Sequence, residues 1–165
     1  MTSKKKNLST SEGKIDRDAS GMRTAIVVAD WNKEITDALL QGALNTLHRH
    51  GVKEKDIFVY RAPGSFELPQ AASFIIYESE QEPDALICLG CIIQGETRHF
   101  EFIAQAVAKG CIDLGIESGI PVIFGVLTTD TYEQAQERAG GKHGNKGDEA
   151  AMAAIQMAAI RKSFR

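Results

Sequence analysis

The chain has 165 residues, of which 43% are hydrophobic and 25% charged, and a formal net charge of -3. That length suits one domain able to bury its own core, and the composition excludes fibrous, membrane-spanning and wholly disordered classes. The weak negative charge gives no pull toward nucleic acid, and the one dense basic run, Lys4 to Lys6, lies in a polar tail, so any anion site must be local.

In chain order, residues 1–20 hold few apolar side chains among many charges, which predicts a flexible arm ahead of a single domain over 21–165. No apolar stretch follows the early lysines and no run approaches transmembrane length, so neither a secretory signal nor a membrane partner is expected, and the expected location is cytoplasmic. From Met22 onward, short runs rich in β-branched residues alternate with stretches of helical period. TAIVVAD is a strand, and Ile35, Leu39, Ala43 and Leu47 recur at fours in the helix after it, which Gly51 stops. DIFVYRAPG is the second strand and its turn, and FELPQAASFIIYESE is a helix with Phe66 and Pro69 near its first turn. DALICLGCII is apolar at nearly every position, as in a central strand covered on both faces.

Phe100, Ala104, Val107, Cys111 and Leu114 mark the third helix, and PVIFGVL the fourth strand. TYEQAQERAG is a short helical segment closed by a glycine pair, and DEAAMAAIQMAAIRKSF a final helix with cations in its last turns. Right-handed crossovers then predict an α/β fold, a flavodoxin-like three-layer α/β/α sandwich with a four-stranded parallel sheet. In such sheets ligands bind beyond the carboxyl ends of the strands.

Cys88, Cys91 and Cys111 lie in apolar runs and are odd in number, which suits reduced core thiols. Cys88 and Cys91 spell C-x-x-C on a strand pattern with no second pair, so a redox or zinc site is not expected.

The strand-end rule singles out several residues. His99 closes GETRH between the third strand and third helix, where an imidazole can exchange protons near neutrality; it reads equally as a solvent-facing histidine. Thr97 and the helix start beside it could hold a phosphate. Arg138, Lys142, His143 and Lys146 crowd ERAGGKHGNKGDE, either as an anion site or as a solvated loop. GNKG lacks the spacing of a nucleotide-phosphate loop and the hydroxyl residue after its lysine, which argues against nucleotide hydrolysis. Trp31 and Phe66 follow strands, where they could stack on a planar ring, although Phe66 alone would suit core packing.

RAPGSFELP, LGCIIQGETRHFEFI, PVIFGVLTTDTYEQAQERAG and GNKGDEAAMAAIQM closely resemble, in order and spacing, segments of the 6,7-dimethyl-8-ribityllumazine synthase family, from about Met22 to the final helix. The resemblance implies a transferase of riboflavin biosynthesis. Its reaction joins 5-amino-6-(D-ribitylamino)uracil to 3,4-dihydroxy-2-butanone 4-phosphate, giving 6,7-dimethyl-8-ribityllumazine, phosphate and water without a metal or organic cofactor. It places Trp31 and Phe66 against the pyrimidine, with Asn32, Ser65, Glu67, Ile92 and Ile93 orienting ring and ribityl chain. Lys146 lies near the ring and Phe124 forms an apolar floor. Thr97 and Arg138 bind phosphate, Arg138 arriving from a neighbouring subunit, while His99 moves protons with Glu149 orienting it.

The pattern departs from the family at two places: Trp31 stands where phenylalanine is common in bacterial members, and Glu96 and Arg98 flank Thr97 where smaller residues are frequent. The resemblance further implies a homo-oligomer with shared sites, a pentamer at least, and the short GNKG turn is the form found in icosahedral shells. Riboflavin synthase is a candidate partner. A riboflavin-binding paralogue without activity, an archaeal-type riboflavin synthase and a non-catalytic storage or encapsulation shell are the alternative readings.

Overall fold

The computed structural model describes residues 18–165, so the arm expected over 1–20 lies outside the described residues except at its last three positions. There the chain is docked: Ala19 is buried and its N–H donates to the His50 carbonyl at 2.8 Å. Among the described residues no helix is long and apolar enough to cross a membrane.

Strands β1 (Thr24–Ala29), β2 (Ile57–Ala62), β3 (Ala85–Ile93) and β4 (Val122–Thr129) form one parallel sheet in the order β2-β1-β3-β4. Helices α1 (Lys33–Arg49) and α5 (Lys146–Lys162) cover one face, and α2 (Leu68–Glu78) and α3 (His99–Ser118) the other. This is the expected flavodoxin-like sandwich. The side-chain period of two explains why the central strands are apolar throughout. Ile26, Val28, Ile87 and Leu89 pack under α1 and α5, while Ala25, Val27, Leu86 and Cys88 pack under α2 and α3.

The same alternation disposes of the C-x-x-C pattern. Cys88 and Cys91 are three residues apart on β3 and belong to opposite layers, and all three cysteines are free thiols. Burial pushes the Cys91 thiol up to about 11, and the adjacent Cys111 thiol together with burial pushes Cys88 up as well.

Three local features differ from the sequence reading. Phe66 lies outside α2, in a 3₁₀ turn over Ser65–Glu67, and Pro69 sits in the first turn of the helix that follows. The glycine pair after α4 (Tyr132–Glu137) does more than end it: β5 (Ala139–Gly141) pairs antiparallel with β6 (Gly144–Asn145). Helix α5 starts at Lys146, two residues ahead of Asp148, because the Asn145 side chain caps it by accepting from the Gly147 N–H at 2.7 Å.

The Asn145 amide also donates to the Ala38 carbonyl of α1 at 2.9 Å. A Cβ on Gly147 would lie 1.8 Å from the Leu39 carbonyl oxygen, and one on Gly42 would lie 2.5 Å from the Asn145 side chain. The GNKG motif is therefore the seam along which α1 and α5 meet.

Candidate active site

The carboxyl ends of β1, β2 and β3 open onto a cavity of about 450 Å³, a size suited to a small organic ligand. Each wall follows from how a strand ends. Beyond β1, the N–H groups of Asp30 and Trp31 donate to the carbonyls of Ala62 and Pro63, carrying the β1–β2 pairing past the sheet. Asn32 then takes the left-handed conformation, φ 58° and ψ 46°, turning the chain into α1. Thr36, fully buried, donates its hydroxyl to the Ala29 carbonyl at 2.7 Å and ties that helix back to the strand.

Beyond β2, the Ser65–Glu67 turn packs against β3 where Gly90 leaves room, since a Cβ there would lie 2.5 Å from the Ser65 hydroxyl oxygen. That hydroxyl is buried and has no hydrogen-bond partner among the described residues. Beyond β3, the Gln94 N–H donates to the Thr129 carbonyl, and the loop then enters α3 with the Thr97 hydroxyl accepting from the His99 N–H at 3.4 Å.

Trp31, Asn32, Ser65, Phe66, Glu67, Ile92, Ile93, Thr97 and His99 all line this cavity, so most of the expected site residues converge within one chain. Trp31 is 72% and Phe66 56% exposed. These aromatics are outside the core, so core packing, the better reading of Phe66 taken alone, does not hold. Phe100, Ile103 and the end of β3 at Cys91 also line the cavity. Helical period assigned Phe100 to the core, against which it does pack, yet it also lines the cavity; Ile103, four residues after His99, falls on the same helix face as the imidazole.

The remaining expected residues are elsewhere. Glu96 and Arg98 are exposed and outside the cavity lining. Phe124 sits mid-strand on β4, paired with Cys88 and packed toward α2 and α3, so it forms no floor to this chain's cavity. Arg138, Lys146 and Glu149 form a separate cluster on the α1–α5 side. Arg138 reaches Glu149 at 2.8 Å and the His143 carbonyl at 2.7 Å, and Lys146 reaches Glu149 at 3.3 Å. Within one chain Glu149 is thus held by two cations and does not orient His99.

Two exposed aromatics, an imidazole and a helix N-terminus share one cavity at the strand ends of a parallel sheet, the place where α/β proteins of this architecture bind their ligands. The model of the family described as 6,7-dimethyl-8-ribityllumazine synthase matches residues 21–162. A 6,7-dimethyl-8-ribityllumazine synthase of Parabacteroides distasonis is 50% identical, the match covering 95% of this chain and 97% of that one. One from Cytophaga hutchinsonii is 51% identical, covering 96% and 98%, and one from Porphyromonas gingivalis is 48% identical, covering 86% of each. The chain belongs to the 6,7-dimethyl-8-ribityllumazine synthase family.

Proposed function

We propose that the chain condenses 5-amino-6-(D-ribitylamino)uracil with 3,4-dihydroxy-2-butanone 4-phosphate to give 6,7-dimethyl-8-ribityllumazine, phosphate and water, the penultimate step of riboflavin biosynthesis. The observation that carries this reading is the single cavity that gathers Trp31 and Phe66 with Thr97 and His99. The pyrimidine stacks on the two aromatics, which present large, flat apolar faces. Glu67 and Ser65 offer acceptors to the ribityl hydroxyls, and the Ser65 hydroxyl gains a partner that it lacks among the described residues. Thr97 and the first amides of α3 meet the phosphate, whose charge the helix N-terminus favours.

The 5-amino group then attacks the ketone and loses water to form an imine, elimination of phosphate leaves an enol that tautomerises to a carbonyl, and the ribitylamino nitrogen attacks that carbonyl, closing the second ring with loss of a second water. His99 relays the protons. Holding two reactants in register contributes most of the acceleration, with proton transfer adding a factor of roughly 10²–10⁴.

Arg138, Lys146 and Phe124 serve the cavity of an adjacent copy, as the family resemblance implies for Arg138, and their absence from the lining of their own chain's cavity supports this reading. On this reading, and as the family resemblance implies, the functional unit is a homo-oligomer, a pentamer at minimum, working in the cytoplasm and able to pass its product to riboflavin synthase. The decisive experiment supplies purified protein with both substrates and follows the fluorescence of the lumazine. Turnover dependent on both is expected; binding of riboflavin without turnover would instead identify a flavin-binding paralogue.

A further inference from the structure

Asn32 is the only non-glycine residue with positive φ among the described residues, and it stands at the edge of the cavity. The left-handed region is one that side-chain-bearing residues rarely occupy unless the surroundings impose it, with asparagine among the most tolerant. Here the surroundings do impose it. The Asn32 carbonyl accepts from the N–H groups of Ile35 and Thr36 at 2.9 and 3.1 Å, opening α1, while the preceding residue, Trp31, is held to the Pro63 carbonyl at 3.1 Å. One residue therefore makes the whole change of direction between the β1–β2 end and the helix.

Its side chain does something different from a ligand contact. The amide Nδ2 donates to the Cys91 carbonyl at 3.0 Å, across 59 residues of sequence, at the point where β3 runs on into Ile92 and Ile93. On one side of Asn32 is the exposed indole, and on the far end of its hydrogen bond is the backbone that forms the adjoining wall. Thr36 and Ala29 brace the same junction from beneath.

We infer that Asn32 is a positioning residue: its left-handed turn and its amide bond to the Cys91 carbonyl fix the Trp31 indole relative to the end of β3 before any substrate arrives. A preorganised ring slot loses less freedom on binding, so the gain appears as affinity for the ring. The inference rests on the proposed condensation only for the identity of that ring.

Trp31 is the chain's single tryptophan, so its fluorescence reports this slot alone. The test compares full-length wild type, N32G and N32D by time-resolved anisotropy without ligand, and then by titration with 5-amino-6-(D-ribitylamino)uracil. Glycine adopts the left-handed turn without steric cost but has no amide. N32G is expected to keep a melting temperature near wild type, to show a larger fast component in the Trp31 decay, and to bind the pyrimidine roughly fivefold or more weakly, the loss of one hydrogen bond. N32D keeps the side-chain shape but turns an acceptor toward the Cys91 carbonyl, so it should loosen Trp31 at least as much, and it carries the test if N32G does not fold. A wild-type Trp31 decay in the folded variants overturns the inference, even with weakened pyrimidine binding, because Asn32 would then act by direct contact. If wild type itself fails to bind the pyrimidine, the proposed reaction fails, while the anisotropy comparison still decides the positioning role.

Discussion

At the scale of residues, His99 and Arg138 have different expected signatures because they occupy different parts of the chain. His99 lines the cavity beside the stacking aromatics, so His99→Ala should lower kcat by roughly 10²–10⁴ and leave the KM of both substrates near wild type. Loss of the entire rate enhancement with binding intact would show that proton transfer, rather than alignment, carries the reaction. Arg138 is 25% exposed and already bonded to Glu149 and the His143 carbonyl, so it is preorganised as a cation with donors to spare. Arg138→Ala should raise the KM for the sugar phosphate about 10- to 100-fold, as expected when a charged hydrogen bond is removed, and change the KM for the pyrimidine far less. Equal losses for the two substrates in steady-state kinetics would refute a phosphate role.

At the scale of elements, the seam between α1 and α5 depends on small residues. A methyl group on Gly147 would fall on the Leu39 backbone carbonyl, which cannot swing aside as a side-chain end could. Gly147→Ala should therefore cost at least about 1–3 kcal/mol, seen calorimetrically as a drop of roughly 2–4 °C in Tm per kcal/mol in a chain of this size. An unchanged Tm would mean that α5 slides along α1 without penalty. The four strands and the long helices were legible in the sequence because each buries a face over enough residues to show its period, as Ile35, Leu39, Ala43 and Leu47 do along α1. The β5–β6 hairpin was not, since strands of three and two residues are too short to display alternation. The Ser65–Glu67 turn was hidden by Pro69, which marks a helix start without marking which residue precedes it. Strand-end position found Trp31, Phe66, Thr97 and His99; it could not find Ile103, whose spacing suited core and cavity equally. That Arg138 and Lys146 turn away from their own cavity depends on how β5, β6 and α5 pack, which no local pattern records.

At the scale of the whole molecule, several large apolar side chains on α2 and α3 remain open in the single chain. Phe74 and Tyr77 on α2 and Phe102, Ile112 and Ile116 on α3 are each more than half exposed. Large apolar side chains left open on two neighbouring helices suit an association surface. The family resemblance implies that the short turn before α5 goes with a hollow icosahedral particle built from pentamers, and closed symmetry turns a small change of interface angle into a choice between shells and free rings, so that particle is the predicted assembly. Light scattering at neutral pH should find that particle, and a species of about five subunits across all buffers would show that the short turn is insufficient. The most direct test of a site shared between copies is complementation. His99→Ala and Arg138→Ala chains, each impaired alone, are unfolded, mixed and refolded together, and lumazine formation is followed at limiting sugar phosphate. Some interfaces then join an intact cavity to an intact Arg138, so activity should rise above the sum of the two variants refolded separately; mixed assemblies that show no such gain would contradict a site built from two copies.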